Sequence, residues 1–135
     1  MKRNWLGLLV GLGLLSSVAP ALAHHSFAAE YDRTKPISLA GTVTKVEWMN
    51  PHVYFYMDVK DAATGKITSW AFELGNPAGL YRRGWKKEAL KIGASASVDG
   101  SMSKDGSKRV NAGTVTLEGK RLFAGSSGDA DYNGK

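Results

Sequence analysis

Three histidines are the residues best suited to chemistry in this chain of 135 residues, which contains no cysteine. His24 and His25 directly follow a segment that has the features of a secretory signal peptide, and His52 ends an Asn-Pro-His corner. If the chain is cut after Ala23, the new terminal residue His24 carries an amine and an imidazole nitrogen that together can chelate one metal ion. A second imidazole, from His25 or His52, would complete a nitrogen-rich site of the kind that suits Cu(II). A copper site is therefore one hypothesis, and the alternative is a solvated histidine pair with a hydrogen-bonded corner residue.

The first 23 residues predict export. They begin with the basic pair Lys2-Arg3, continue with an apolar run over residues 5–18, and end in Ala-Leu-Ala, as cleaved signal peptides do. The apolar run is shorter than the ~20 residues that a membrane-spanning helix needs, so an uncleaved anchor is the weaker reading. Cleavage after residue 23 would leave residues 24–135 with a formal net charge of +4, since it removes two of the charges that make up +6. We therefore expect a periplasmic or secreted protein with no membrane span after cleavage.

The sequence contains no recognisable catalytic motif. It has no cysteine nucleophile, no G-x-S-x-G elbow, no H-E-x-x-H pair and no phosphate-binding glycine loop. Carboxylates such as Glu47 and Glu73 fall on predicted strands, where acidic side chains usually form a solvated face. The chain is therefore predicted not to be an enzyme, and without disulfides a single small domain must be stabilised by its core.

Alternating apolar residues predict the central pair of strands. The first strand starts near Ile37, and a change of phase near Thr44-Lys45 indicates a β-bulge. Asn50-Pro51-His52 forms the corner that follows. In the second strand one face of the alternation is apolar and the opposite face carries the polar and aromatic residues. The apolar residues are Val53, Phe55, Met57 and Val59, and those opposite are His52, Tyr54, Tyr56 and Asp58.

The remaining segments complete a strand order of β-β-β-α-β-β. A third strand covers residues 67–74, a helical segment begins at Asn76-Pro77 and reaches Leu90, and two further strands cover 94–102 and 110–117. This order predicts an all-β domain with one short helical segment, an OB-fold-like barrel of five strands over residues 37–123. An open α+β sheet is the alternative. Residues 24–36 are interpreted as an arm that Phe27 and Tyr31 can pin, and residues 124–135 as a disordered tail.

A second hypothesis is a ligand-binding module. OB-folds bind along strands two and three, between the loop joining strands one and two and the loop joining strands four and five. The candidate ligand-binding residues on this surface are Asn50, Tyr54, Tyr56, Arg82, Arg83, Lys104, Lys108 and Arg109. A glycan, a peptide or an anionic envelope component would suit them, and nucleic acid is disfavoured by export. A third hypothesis is a structural envelope protein that acts through a protein partner.

Four segments carry a resemblance to a known family. The segments HHSFAAEYD, GTVTKVEWMNPH, WAFELGNP and LYRRGW resemble those of short exported bacterial proteins that are classed only as a domain of unknown function. The resemblance covers nearly all of residues 24–123, and the HHSF and NPH motifs are its most specific parts. It implies a small periplasmic β-barrel domain and implies no activity.

Overall fold

The computed structural model describes residues 27–125, which form a mostly β structure with only short helices. The elements in chain order are α1 (Phe27–Glu30), β1 (Tyr31–Glu47), β2 (Tyr54–Lys60), β3 (Ile67–Glu73), α2 (Pro77–Arg82), a 3-10 turn (Lys87–Ala89), β4 (Ser95–Ser103), β5 (Arg109–Leu117) and β6 (Lys120–Phe123). Within this part of the chain, no helix is long and apolar enough to cross a membrane.

The strands form one six-stranded sheet in the order β3-β2-β1-β4-β5-β6, with antiparallel neighbours throughout. A further parallel pairing joins the end of β3 to the start of β5, from Ala71 opposite Arg109 to Glu73 opposite Asn111. This pairing closes β1, β2, β3, β5 and β4 into a ring, and β6 lies outside the ring on the edge of β5. The five predicted strands are the five strands of the ring, and β6 is an additional strand that the sequence did not predict. β6 has only four residues, and it exists because β5 provides a hydrogen-bonding edge for it.

The long first strand begins earlier than the sequence predicts. β1 starts at Tyr31, six residues before Ile37, because Tyr31 and Asp32 pair with Ser103 and Met102 at the end of β4. Its register with β4 is irregular between Asp32 and Pro36, which explains why no alternating pattern is visible in that stretch. The predicted bulge is confirmed, since the register with β2 shifts between Val43 and Lys45.

The core fills the interior of the ring, and the predicted phase of β2 is confirmed. Val53, Phe55 and Met57 are completely buried, while Tyr54 and Tyr56 on the opposite face are partly exposed. The rings of Phe55 and Phe72 stack with centroids 5.1 Å apart. Since β2 and β3 are direct neighbours, this stacking joins their inner faces.

The helix that follows β3 starts as predicted. Asn76 Oδ1 accepts a hydrogen bond of 2.7 Å from the Gly79 amide, and Pro77 occupies the first turn, where its missing amide costs nothing. Beyond the helix, Arg83 Nη1 donates to Gly125 O at 2.8 Å, and Ala124 is fully buried. The predicted tail is thus wrong for residues 124–125, which pack against the domain, and its residues 126–135 lie outside the described residues.

Candidate functional site

A buried carboxylate at the end of β3 collects polar side chains from three parts of the chain. Glu73 is only 8% exposed. Its Oε2 accepts hydrogen bonds from the hydroxyls of Tyr31 (2.5 Å) and Tyr54 (2.6 Å), and its Oε1 lies 3.2 Å from His52 Nδ1. A buried carboxylate without such donors would be strongly unfavourable, so the three side chains and Glu73 form one interdependent group. We call these four residues the Glu73 cluster.

The cluster orients the imidazole of His52. His52 Nδ1 faces two acceptors, Glu73 Oε1 and the carbonyl oxygen of Leu74 at 3.0 Å, so Nδ1 carries a proton that it donates to them. In the neutral ring, the lone pair is then on Nε2. Metal-ligating histidines usually donate their other N–H to a carboxylate or a backbone carbonyl in this way. The His52 side chain is 28% exposed, so part of it is in contact with solvent.

The segment before β1 is docked against the same side of the sheet. Tyr31 is 2% exposed, and the ring of Phe27 packs on it with centroids 5.7 Å apart. Arg109 Nη2 lies 3.7 Å from Glu30 Oε2, and its guanidinium group lies 5.5 Å from the centroid of the Tyr31 ring. The amide of Lys104 donates to Glu30 O at 2.8 Å. The prediction that Phe27 and Tyr31 pin the arm is confirmed by these contacts.

Several predicted ligand-binding residues are engaged by the chain itself. Tyr54 belongs to the Glu73 cluster, and Arg109 contacts Glu30 of α1. Lys104 Nζ donates to Ala28 O, also in α1. Tyr56, the next residue after Tyr54 on the same face of β2, donates to Glu47 Oε2 at 3.0 Å. The structure therefore does not bring these residues together as one open surface.

The other predicted ligand-binding residues are divided between separate places. The Arg83 guanidinium lies over the ring of Phe123 at 4.7 Å, so it has a packing role. Lys108 Nζ lies 4.8 Å from the centroid of the Trp70 ring. Asn50, in the corner after β1, and Arg82, at the end of α2, are exposed.

The amino-terminal part of the predicted metal site is not described by the structure. His24 and His25 lie outside the described residues, three and two positions before Phe27 respectively. Residues 27–125 contain no group of three or more histidine, aspartate and glutamate side chains placed to hold a metal ion. Among the three histidines, the structure therefore fixes the surroundings of His52 alone.

Sequence reasoning missed Glu73 as the centre of this site and assigned it to a solvated strand face. Its strand neighbours gave no signal of burial, because the residues that cover it are Tyr31, 42 positions earlier, and Tyr54, 19 positions earlier. The cross-strand pairing of Tyr54 with Glu73 follows from the register of β2 and β3, which the sequence pattern did not specify. The pair could have been predicted only if the register of β2 and β3 had been known.

The hydroxyl of Tyr31 gives a testable pH dependence. Burial, reinforced by the hydrogen bond to the Glu73 carboxylate, raises the pKa of Tyr31 well above the usual range. Because the folded state holds this proton more tightly than the unfolded state, the stabilisation is complete below pH ~10 and is lost progressively as the pH rises above it. We expect the free energy of unfolding, measured in urea at a series of alkaline pH values, to fall less steeply in Tyr31→Phe than in the wild type. Equal slopes in Tyr31→Phe and in the wild type would contradict the expectation.

Comparison with known proteins identifies a family and nothing finer. No match to a curated protein or to a solved structure was found. The model of a family of unknown function, DUF6152, matches residues 12–112, which is most of the chain. The chain therefore belongs to this family of unknown function, DUF6152.

Proposed function

We propose that this chain is an exported, periplasmic domain that binds a divalent metal ion, Cu(II), through its mature amino terminus and His52. The observation that carries the proposal is the orientation of His52. Its Nδ1 is directed at Glu73 and Leu74, so Nε2 is the nitrogen left to bind a metal ion. The other donors are the amine and imidazole of His24, with His25 as the alternative source of an imidazole. An all-nitrogen set of this kind favours Cu(II) among the common divalent ions.

The length of the arm supports this combination of donors. His24 is three residues before Phe27, and an extended chain covers ~3.3–3.6 Å per residue, so their Cα atoms are at most about 11 Å apart. Phe27 packs on Tyr31, and Tyr31 and His52 contact the two oxygens of one carboxylate. We propose that the three residues from His24 to Ser26 bring the mature amino terminus to the corner that carries His52.

The closed ring supports an OB-type barrel as the scaffold. The ring has five strands, a long and bulged β1, and a helix between the third and fourth strands, which are features of that fold. OB-folds bind ligands over strands two and three, and here Tyr31 covers Tyr54 and Glu73 at the end of that face. Because the chain occupies this part of the surface itself, the metal site is a better-supported function than an open module for a glycan, peptide or anionic envelope ligand.

A copper titration of the exported protein tests the proposal. Intact mass should first show that the mature chain starts at His24, and a mass that includes residues 1–23 would contradict both export and the amino-terminal site. Adding one glycine before His24 moves the terminal amine away from the imidazole and leaves every side chain in place. We expect this extension to weaken Cu(II) binding by about tenfold or more, which is ~1.4 kcal/mol, and as much as His24→Ala does.

Two further variants identify the second imidazole. His52→Ala should also weaken Cu(II) binding relative to the native mature protein, and its urea denaturation curve should still show a folded domain. If His25→Ala weakens binding and His52→Ala does not, the site is a local peptide chelate and the role of His52 is wrong. An extended protein that binds copper as tightly as the native mature form would overturn the metal proposal and favour the ligand-binding module.

A further inference from the structure

We propose that the surface formed by residues 80–92 docks on an anionic phospholipid membrane. Five of these thirteen residues are basic and one is acidic, so the segment has a formal charge of +4. The rest of the mature chain, residues 24–79 and 93–135, contains eleven basic and eleven acidic side chains. The whole net positive charge of residues 24–135 is therefore located in this one segment. A charge concentrated in this way creates a local positive potential that attracts an anionic partner.

Most of the cations in this segment are accessible to a partner. They are exposed, and none of them forms an ion pair with another side chain among residues 27–125. Arg83 is the exception, since it donates to Gly125 O and packs on the domain. The exposed cations are Arg82, Lys86, Lys87 and Lys91.

A cleft beside the 3-10 turn adds one more basic side chain to this surface. The cleft has a volume of about 440 Å³, and Lys86 and Lys91 line it together with Lys120, the first residue of β6. Three ammonium groups and two carboxylates give its lining a net positive charge, and the apolar residues among them suit the hydrocarbon next to a lipid phosphate. The carboxylates and apolar residues that line it are Glu88, Glu118, Ala89, Leu117 and Leu122.

Large apolar side chains are exposed near both ends of the same segment. Tyr81 is 51% exposed and Ile92 is 72% exposed, and the ring of Trp48 packs on Tyr81 with centroids 5.5 Å apart. Basic residues next to exposed aromatic and aliphatic side chains are typical of surfaces that lie in a membrane interface. There the cations contact lipid phosphates and the apolar groups enter the headgroup region. A soluble polyanion would use only the charges, so Tyr81 and Ile92 favour a lipid surface as the partner.

Co-sedimentation of the mature protein with lipid vesicles, in the absence of metal ions, tests the proposal. We expect binding to vesicles of phosphatidylcholine mixed with anionic phosphatidylglycerol, no binding to pure phosphatidylcholine, and an affinity that falls as the salt concentration rises. Each basic side chain near an anionic surface contributes roughly fivefold in affinity, so Lys86→Gln/Lys91→Gln should weaken binding by about 25-fold. Vesicle binding without a metal ion is independent of the proposed copper site.

The matched control is Lys60→Gln/Lys66→Gln at the turn between β2 and β3. Both lysines are exposed and lie near the exposed Ile67, but Asp58 and Asp61 balance their charge. This variant removes the same charge as Lys86→Gln/Lys91→Gln and should keep most of the wild-type affinity. Equal losses in the two double variants would overturn the proposal, because they would indicate a response to net charge alone. A wild-type protein that binds neutral vesicles equally well, or binds no vesicles, would also overturn it.

Ile92→Ser distinguishes a membrane from a soluble acidic polymer. The variant leaves every charge in place and removes an apolar group that would enter the headgroup region. We therefore expect it to weaken vesicle binding several-fold and to leave any binding to heparin, a soluble polyanion, unchanged. A wild-type protein that binds heparin and not vesicles would show that the partner is a soluble acidic polymer, and the lipid assignment would be wrong. An unchanged affinity of Ile92→Ser for vesicles would contradict it as well.

Discussion

Replacing Phe55 with alanine is expected to lower the free energy of unfolding by ~3–5 kcal/mol. Phe55 is completely buried on the inner face of β2, and its ring stacks on Phe72 with centroids 5.1 Å apart. Hydrogen-bonded strands surround the site, so the backbone cannot collapse to fill the cavity that the substitution leaves. Because small domains are stable by only ~5–15 kcal/mol, this loss is a large part of the total.

Tyr56→Ala, on the opposite face of the same strand, is the matched control for Phe55→Ala. Tyr56 is partly exposed, and its hydroxyl bonds to Glu47 on the neighbouring strand. Its removal opens no cavity in the core, so we expect a loss of only about 1 kcal/mol. Urea denaturation of both variants measures the difference. Similar losses would contradict the assignment of the two faces of β2.

Gly41→Ala is expected to be similarly damaging, at about 3 kcal/mol, because overpacking here involves the backbone. Gly41 lies in β1 next to Thr42, the residue that pairs with both β4 and β2. A Cβ atom at Gly41 would lie 2.3 Å from the backbone oxygen of Asp58 and 3.2 Å from Val59 Cγ2. A backbone oxygen cannot rotate away as a side chain does, so β1 and β2 would have to separate.

Ser97→Ala on β4 is the control for Gly41→Ala. Ser97 is exposed and lies opposite Ala40, one position from the partner of Gly41. A surface substitution of this kind should change the free energy of unfolding by no more than ~0.5 kcal/mol. Thermal and urea denaturation should therefore separate the two variants clearly. A Gly41→Ala protein that unfolds like the wild type would show that β1 and β2 are not packed this closely.

The sequence by itself determined the features that depend on neighbouring residues. Alternation of apolar residues identified the inner face of β2, and the slip near Thr44-Lys45 identified the bulge of β1. Asn76-Pro77 identified the start of α2, because the cap bond joins residues only three positions apart. Each of these signals is local, since side-chain direction in a strand and capping at a helix end are set within a few residues.

Part of the candidate site was also predictable from local patterns. The sequence singled out His52 and Tyr54 and predicted that Tyr31 pins the arm, and the structure places all three at Glu73. The copper hypothesis for His24 and His25 stays a prediction, because both residues lie outside the described part of the chain.

Only the tertiary structure decided the start of β1, the existence of β6 and the role of Glu73. The start of β1 depends on pairing with β4, which lies more than 60 positions after Tyr31. The existence of β6 depends on pairing with β5, from which it is separated by a turn. In the alternating pattern of β3, Glu73 falls on the face that the sequence predicts to be solvated. It is buried because Tyr31, 42 positions earlier, packs against it. A carboxylate is buried or solvated according to the donors that surround it in space, and the register between distant strands brings those donors to it.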